Sequence, residues 1–510
     1  MKNTITALPV LGMLAMAVTS AWAQQDDQPL ESAASVPVRF EPRLGLTQTI
    51  TSNVDLRPQR RADTVTRISP GVLLRRQSGR VQGFLDYTLS GLAYARSTER
   101  NSLLNALQSK GQAELLEQHA YVDAEASITQ QAINPLRSQS TDDQLGRGNR
   151  TEVRTLSVTP RIQGRFGDVA KWDARVAYQT SQADSSAVSN SSATSAQLQL
   201  SNGDLPTTIG WSLQASHNTQ DFSRGRSTVS DIARGVLNYR ISPEFTAGVI
   251  GGYESTDIGS IEKEGRATYG WRLSWTPSQR TGLQAEQEKR FFGSAYNIRF
   301  AHRMARMVLG YTDTRSMSNG VGQPVLVGVG SYFERMTQDW ASQIPDQAQR
   351  EALVLARLRE LNIDPNAQVL ESFLSSAVTV QRNQQLSVGW VGPRDTLSFA
   401  FQRTSGRRLD TLPGVSVGDI LSNETIDQQG YSMTLAHRLT PLSTLTLGYT
   451  QRRAAGSVNG STTLRSGTAQ WSTKLGPRTT LLLLGRHARS KGGLEPYTES
   501  ALIGTFGLTF

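Results

Sequence analysis

The feature that most constrains this chain is a strict alternation of apolar and polar residues that recurs along most of its length. Over 171–180 the apolar side of the alternation carries Trp172, Ala174, Val176 and Tyr178. Successive side chains of a strand point to opposite faces, so this period of two predicts β-strands with one apolar and one polar face. The pattern persists for about ten residues, which exceeds the usual soluble strand of about 5 to 6 and matches the 9 to 11 or so that cross a bilayer.

The connections between these strands predict their arrangement. Short turn signals alternate with longer polar segments, as in outer-membrane barrels with short periplasmic turns and long extracellular loops. The turn signals are 77–80, 201–204, 242–244, 276–278, 392–394, 440–442 and 476–478, and the longer segments include 131–150, 180–193 and 406–425. About ten tight connections, flanked by a strand at each end, predict an all-β fold: a single transmembrane antiparallel β-barrel of about 22 strands, in a range of about 20 to 24.

The N-terminal residues predict export from the cytoplasm. Residues 1–23 combine Lys2, a short apolar stretch over 8–18 and the pair Ala21 and Ala23, which fits a small-residue cleavage site. The apolar stretch is shorter than the about 20 residues that a spanning helix needs. We therefore interpret 1–23 as a secretory signal peptide, 24–42 as a periplasmic N-terminal segment and 43–510 as the barrel.

The C-terminal strand carries a second localisation signal. Leu502, Phe506, Leu508 and Phe510 share one face, and the last residue is aromatic. This pattern resembles the terminal strand by which bacterial outer-membrane proteins are recognised for insertion. It predicts the outer membrane of a Gram-negative cell as the location, with the barrel-assembly machinery, outer-membrane lipid and lipopolysaccharide as partners.

One segment departs from the period of two. Over 346–361 apolar residues recur at intervals of three and four, which predicts a helix that begins after Pro345 and ends before Pro365. The helix lies in the longest loop, 317–376, which is extracellular if strands and turns alternate as above. We expect this loop to narrow or cover the pore; the alternative is a helix that packs on its own loop.

The composition excludes much chemistry. Cysteine is absent, which removes disulfides, thiolate metal sites and cysteine nucleophiles. The five histidines are not spaced as metal ligands, so no metal or cofactor is expected. Residues 414–418 satisfy the G-x-S-x-G pattern, but the Ser lies in a polar loop without the strand-turn-helix context that the pattern needs. The chain is therefore not expected to be an enzyme, although a barrel hydrolase with a triad assembled in space stays open.

Arginine dominates the positive charge. The chain has 53 Lys and Arg residues against 43 Asp and Glu, and only seven of the 53 are Lys. A lumen wall rich in Arg would attract anions, whereas codon bias is the alternative source. The Arg residues are not clustered with aromatics, so no nucleic-acid partner is expected. The alternation predicts these lumen-lining residues: Arg161, Arg165, Arg175, Arg234, Arg272, Arg299, Arg452, Asp86, Asp123, Glu125 and Asp173.

Several short segments form a further pattern: 45–49 with Asn53 and Val54, 68–72, 85–87, 123–131, 149–155 and 373–376. They resemble a family of uncharacterised outer-membrane proteins associated with the PEP-CTERM and exosortase system, found beside exopolysaccharide genes. Ser52 stands where that family pattern has Asp. The resemblance spans most of the chain and implies an outer-membrane barrel near polysaccharide secretion, with exopolysaccharide export components as partners. It implies no catalytic residues.

These observations lead to a functional expectation with two alternatives. We expect a porin-like outer-membrane channel that takes part in export of an anionic exopolysaccharide or another surface polymer. The first alternative is a non-conducting scaffold that docks surface or secretion partners, and the second is the barrel hydrolase.

Overall fold

The alternating segments form the wall of one β-barrel in the computed structural model. The structure describes residues 38–76, 79–134, 136–137, 140, 142–186, 188–203, 208–318, 378–409, 425–456, 460–493 and 495–510. Strands β1 to β11 are Arg39–Thr51, Asp63–Arg76, Val81–Tyr94, Ser102–Leu116, Ala120–Ala132, Arg150–Phe166, Ala170–Ala183, Ser191–Asn202, Ile209–Phe222, Thr228–Ser242 and Phe245–Thr256. Strands β12 to β22 are Glu264–Ser278, Thr281–Arg290, Gly293–Arg303, Met307–Ser318, Thr379–Val391, Asp395–Arg408, Ile426–Arg438, Ser443–Gly456, Ser461–Gly476, Thr479–Gly492 and Tyr497–Thr509. Two 3₁₀ turns are Thr98–Arg100 and Arg147–Asn149.

Each strand pairs antiparallel with its neighbour in sequence, and β1 pairs with β22 to close the sheet. The fold predicted from the sequence, a closed antiparallel barrel of 22 strands, is confirmed. The barrel begins at Arg39, four residues before the predicted start, because the alternation continues backward and Arg39 pairs with Arg75 of β2. Closure leaves no unpaired sheet edge, which a barrel in lipid requires.

The turn predicted at 276–278 is displaced. β12 continues to Ser278, and its connection to β13 is 279–280. The pairing of β12 with β13 shifts between Trp275 and Ser278. A bulge of this kind accommodates Pro277, which cannot donate a ladder hydrogen bond. Proline therefore marks an irregularity inside the strand here rather than its end.

The outer face of the barrel is apolar. Leu46, Tyr269, Trp271, Leu502 and Phe506 are all exposed although they are large and hydrophobic. Aromatic residues predicted to face outward alternate with the charged residues of their strands, and several are exposed: Tyr178, Tyr239, Tyr253, Tyr269, Trp275, Tyr431 and Tyr449. A closed barrel with an exposed apolar belt is the architecture of an outer-membrane protein, and it confirms the predicted localisation.

Some predicted features lie outside the described residues. These are the signal peptide 1–23 with Ala21 and Ala23, the helix 346–361 with most of the loop 317–376, and the G-x-S-x-G pattern at 414–418. Within the described part of the chain, no helix is long and apolar enough to cross a membrane.

Candidate lumen site

Strand register identifies the inner face of the barrel. Residues directly opposite each other on neighbouring strands share a face. Arg161 is opposite Arg175, whereas the neighbouring Ile162, which is exposed, belongs to the apolar face. The same counting around the barrel places on the inner face all of the predicted lumen residues: Arg161, Arg165, Arg175, Arg234, Arg272, Arg299, Arg452, Asp86, Asp123, Glu125 and Asp173. Their part in transport stays a prediction.

Most of the predicted acids on the inner face neutralise a neighbouring cation. Arg161 Nε lies 2.9 Å from Asp123 Oδ2, and Lys110 Nζ lies 3.1 Å from Glu125 Oε1. Asp86 forms an ion pair with Arg43. These cross-strand pairs fix the guanidinium groups against the wall and reduce the net field that they project into the lumen.

A second inner cluster shares two carboxylates between two arginines. Arg234 Nε lies 3.0 Å from Glu288 Oε2, and Arg234 also pairs with Glu286. Arg272 Nη2 lies 2.6 Å from the other oxygen of Glu286. The cluster is therefore neutral overall, and neither Glu residue was predicted from the sequence.

Two predicted arginines lack a carboxylate among the described residues. Arg175 Nε donates to the side-chain oxygen of Gln197 at 2.7 Å, and Arg299 Nε donates to that of Asn297 at 3.2 Å. Both arginines are exposed to solvent. Amide partners orient the guanidinium groups without cancelling their charge, so these two positions keep positive potential on the lumen wall.

One connection folds into the mouth of the barrel. Residues 133–149, here called the inner loop, join β5 to β6 at the rim of the longer loops. Tyr94 Oη donates to the carbonyl oxygen of Gln144 at 2.6 Å, and Thr49 Oγ1 donates to the side-chain oxygen of Gln144 at 3.2 Å. Both partners lie on inner faces of the wall, on β3 and β1. The inner loop therefore occupies part of the lumen.

Ion pairs hold the inner loop to β21 and β2, and the pair to β21 is buried. Arg486 is buried, and its Nη1 lies 3.2 Å from Asp142 while its Nη2 lies 3.2 Å from Glu499. On the other side Arg67 forms a double hydrogen bond with Asp143, at 2.9 and 2.8 Å. Removing one partner of a buried pair leaves a charge without compensation, which is far more costly than losing a surface pair.

Apolar packing and one glycine also hold the inner loop in position. Leu145 packs in a buried cluster with residues of the wall: Val54, Leu56, Val65, Leu92, Tyr94, Leu104, Leu464, Ala488 and Tyr497. Gly146 has a φ of 62°, and a Cβ at this position would lie 2.7 Å from a methyl carbon of Leu56. Only glycine fits both the left-handed backbone and this close approach.

The two neighbouring aspartates of the inner loop have opposite electrostatic environments. Burial raises the pKa of Asp142 above its ordinary value, although the charge of Arg486 opposes this. Burial also acts to raise the pKa of Asp143, but the charge and hydrogen bonds of Arg67 outweigh it and hold that pKa below its ordinary value. The contributions of the two carboxylates to stability therefore depend on pH with opposite signs.

A polar cavity of about 380 Å³ lies beside the inner faces of β7 to β10 and reaches the ends of β15 and β16. None of its described lining residues is charged. The lining includes Ala177, Gln179, Ser195, Asn218, Gln220, Thr228, Ser230, Ser316, Gln381 and Asn383. The cavity presents amide and hydroxyl groups, which recognise neutral hydrogen-bonding ligands.

Three atoms of this cavity lining are buried without a hydrogen-bond partner: Gln220 Nε2, Ser230 Oγ and Asn383 Oδ1. Buried polar atoms are usually paired, because leaving one unpaired costs about 1–3 kcal/mol. The three unpaired atoms are thus one donor, one acceptor and one hydroxyl that can serve as either, all on residues that line the cavity.

The histidines include one arrangement that resembles a hydrolytic triad. His217 Nδ1 lies 2.5 Å from Asp231, and His217 Nε2 lies 3.3 Å from Thr219 Oγ1. The register places all three on the outer face. Lys263 also binds Asp231, and the backbone around Thr219 is engaged in the ladders with β8 and β10. Without free N–H groups to stabilise an oxyanion, this arrangement lacks an essential part of acyl-transfer chemistry.

Another concavity, of about 750 Å³, is not part of the lumen site. Its surface is almost wholly apolar, with outward residues such as Ala174, Val176, Leu198 and Ala233 in its lining. A depression of this kind on the outer face of a membrane barrel is filled by lipid chains. Among the described residues, no group of three or more His, Cys, Asp or Glu side chains could hold a metal ion.

Sequence reasoning missed the inner loop and the polar cavity. It treated 131–150 as one of several long polar segments and assigned the constriction to 317–376. The signal that could have singled out 133–149 is the presence of Leu136 and Leu145, both buried, within an otherwise polar segment. The unpaired atoms of the cavity had no sequence signal, since Gln, Ser and Asn are ordinary residues of a polar strand face.

No protein-family model matches the chain, and no curated protein matches it. Solved structures are similar in fold. The FrpB iron transporter from Neisseria meningitidis is 8% identical, with 93% of this chain and 83% of that chain covered at a TM-score of 0.48. A mutant of the ferric enterobactin receptor PfeA from Pseudomonas aeruginosa is 10% identical, with 93% and 81% covered at 0.48. The siderophore receptor PirA from Acinetobacter baumannii is 8% identical, with 93% and 81% covered at 0.46. Similarities this weak support no conclusion about what this chain binds.

Proposed function

We propose that the protein is an outer-membrane channel for a hydroxyl-rich, anionic carbohydrate, such as an exopolysaccharide or another surface polymer. The observation that carries the proposal is the uncharged cavity with three buried, unpaired polar atoms, followed along β7 by an exposed arginine. A functional link with PEP-CTERM and exosortase systems, export components among the partners and insertion by the barrel-assembly machinery belong to the same proposal.

The cavity supports binding of sugar hydroxyls. A hydroxyl group both donates and accepts, so it can pair with the amide nitrogen of Gln220 and with the amide oxygen of Asn383. Such pairing satisfies groups that the protein leaves unpaired in the cavity. A ligand that supplies these hydrogen bonds removes the cost of burying them, which favours hydroxyl-bearing ligands over apolar ones.

Arg175 supports binding of an anionic group next to the cavity. On β7, Gln179, Ala177 and Arg175 lie on the same face at intervals of two residues, and the first two line the cavity. Two residues of a strand span about 7 Å, so Arg175 lies about 7 Å along β7 from Ala177, which lines the cavity. Carboxylate, phosphate or sulfate groups on a sugar chain match its planar fork.

The first test measures ion selectivity. In planar bilayers with a salt gradient, the purified protein is expected to conduct and to prefer anions. The double variant Arg175→Gln, Arg299→Gln is expected to lose most of that preference. The matched control, Arg453→Gln with Arg489→Gln, removes the same charge from the outer face and is expected to leave selectivity unchanged. Equal selectivity in all three proteins would contradict the role of the lumen arginines.

The second test measures the ligand directly. Acidic oligosaccharides are expected to block the wild-type current in a concentration-dependent manner, and neutral oligosaccharides to block it more weakly. Polyethylene glycols of similar size, which carry hydroxyl groups only at their ends, serve as the control for simple occlusion. A block that is equal for sugars and for the control polymer would contradict recognition by the cavity.

The alternative of a non-conducting scaffold is favoured by one observation. Buried ion pairs fix the inner loop inside the lumen, as a permanent closure would require. The two functions differ in what happens when this closure is weakened. If neither the wild type nor a variant with a released inner loop conducts, while deletion of the gene abolishes display of surface proteins, the scaffold is the correct reading.

A further inference from the structure

A cluster of cations lies on the outer face of β19, β20 and β21 near the rim of the longer loops. It consists of Arg453, Arg465, Arg489 and Lys491, all exposed, and is here called the outer basic patch. Register places these side chains on the same face as the exposed Tyr449 and Leu483. Within the described part of the chain, none of the four forms an ion pair with a carboxylate.

The outer basic patch lies directly above the apolar belt. Along β21 the outward positions are Leu483, Gly485, His487, Arg489 and Lys491, in order towards the long-loop rim. Six residues of strand separate Leu483 from Arg489, a distance of about 20 Å. The long-loop rim is the extracellular one, so these cations stand at the level of the lipid headgroups of the outer leaflet.

Several other cations near this rim have acidic partners, unlike those of the patch. Arg382 lies 2.8 Å from Asp313, Lys263 lies 2.8 Å from Asp231, and Arg154 lies 2.8 Å from Glu152. Each of these cations is therefore neutralised by the protein itself. A bound anion gains little there, because it must compete with a carboxylate that is already in place.

Inside the patch the nearest cross-strand residues are neutral or positive. Arg465 is directly opposite Arg489, Arg453 is opposite Thr463, and Thr463 is in turn opposite Lys491. Like charges directly opposite each other destabilise a strand pair. Arg465 and Arg489 form one such like-charge pair, and an anion bound between the cations would relieve their repulsion.

We propose that the outer basic patch binds the phosphate groups of lipopolysaccharide in the outer leaflet. Guanidinium groups form paired hydrogen bonds with phosphate oxygens, and a cluster of cations at a membrane surface attracts anionic headgroups. The acyl chains of the same lipid would contact the apolar belt below, beside Leu483 and Leu502. The inference rests on the outer-membrane location and is independent of whether the lumen conducts.

The test compares lipid binding by three full-length proteins. The patch variant carries Arg453→Gln, Arg465→Gln, Arg489→Gln and Lys491→Gln. The control variant carries Arg280→Gln, Arg306→Gln and Arg394→Gln, exposed arginines at the short-turn rim. Native mass spectrometry counts the copies of lipid A retained from mixed detergent micelles, with dephosphorylated lipid A and inorganic phosphate as the other two probes.

The wild type and the control variant are expected to retain lipid A, and the patch variant to bind it more weakly by on the order of a hundredfold. Dephosphorylated lipid A is expected to bind as weakly to the wild type as lipid A does to the patch variant, and inorganic phosphate is not expected to compete. The patch variant should fold at least as stably as the wild type, since like-charge repulsion is removed. Equal retention of lipid A by all three proteins would overturn the proposal, as would equal retention of the dephosphorylated lipid.

Discussion

The two sides of the lumen use polar residues in opposite ways. Where the inner loop meets β1 to β4 and β21, charges are paired: Arg486 with Asp142 and Glu499 in a buried cluster, and Arg67 with Asp143 in a half-buried pair. Where β7 to β10 approach β15 and β16, the cavity lining is uncharged, and Gln220, Ser230 and Asn383 each leave a buried atom unpaired. The first side depends on charges that pair within the protein, and the second presents uncharged polar groups.

This difference distinguishes a side of the lumen that is suited to closing the pore from a side that is suited to binding a ligand. A wall whose charges are all paired gains stability from staying as it is and loses several kcal/mol when one partner is removed. A wall with orphaned polar atoms is destabilised by them, so removing those atoms costs nothing or stabilises the fold. Substitutions on the two sides should therefore change stability in opposite directions, which gives a direct way to test the distinction.

The largest effect is expected at Arg486. Arg486→Ala leaves the buried carboxylates of Asp142 and Glu499 without their cation, at a cost of about 3–5 kcal/mol. The inner loop should then leave its position in the lumen. The barrel should unfold at a lower temperature, measured by a heat-dependent gel shift, and should conduct a larger current in planar bilayers.

Arg280→Ala is the matched control, because that exposed residue at the short-turn rim should contribute less than about 1 kcal/mol. If Arg486→Ala has the unfolding temperature and conductance of Arg280→Ala, the ion pairs do not hold the inner loop.

The next effect is a pH dependence with opposite signs at the two aspartates. The lowered pKa of Asp143 means that its contribution is present above the ordinary value of 3.8 and is lost as pH falls through the lowered pKa. The raised pKa of Asp142 means that its contribution is greatest below 3.8 and is lost as pH rises through the raised pKa. Asp143→Asn should therefore release the inner loop at about pH 7, whereas Asp142→Asn should release it less, because Arg486 keeps Glu499 as its partner.

Conductance and unfolding temperature measured from about pH 3 to about pH 7 would show this. Asp142→Asn should remove the loss of stability that occurs as pH rises. Asp143→Asn should remove the loss of stability that occurs as pH falls. Identical pH profiles for the two variants would mean that the aspartates are not electrostatically distinct.

The smallest effect is expected in the cavity. Ser230→Ala removes a buried hydroxyl that has no partner, so the free energy of unfolding should stay unchanged or rise by up to about 1 kcal/mol. Block of the current by acidic oligosaccharides should weaken at the same time.

Thr49→Val is the counterpart on the other side of the lumen. Thr49 is fully buried and donates to Gln144 at 3.2 Å, so its loss should cost about 1 kcal/mol without changing the oligosaccharide block. If Ser230→Ala destabilises the barrel as much as Thr49→Val, the cavity hydroxyl has a structural partner and the contrast fails.

The wall of the barrel could be predicted from the sequence, because the alternation that predicts each strand lies within that strand. Whether Trp172 or Asp173 faces lipid is decided by alternation within one strand, and a span of ten residues repeated along the chain determines the strand count. The same rule placed Arg175 and Arg299 on the inner face. It could not distinguish them from Arg234 and Arg272, which are neutralised by acids on other strands.

The inner loop could not be derived in this way, because its seat is formed by residues far apart in sequence. Asp142 and Arg486 are separated by 344 positions, and no pattern in the sequence connects them. The cavity likewise combines Gln220 with Asn383, which meet only because of the curvature of the barrel. The length and the helical spacing of 317–376 directed attention to that loop, and neither feature indicates which loop turns inward.

The seam between β1 and β22 has a consequence for biogenesis. Thr47 and Thr505 are hydrogen-bonded at 3.1 Å, and Thr51 donates to Glu499 at 2.9 Å. The last strand of the barrel therefore pairs with the free edge of the first strand. Until that moment β1 carries an unsatisfied edge that could pair with any other extended chain. Joining segments more than 400 residues apart is also slow. An unclosed barrel therefore exposes a pairing edge, and C-terminal truncation should yield aggregates rather than smaller barrels.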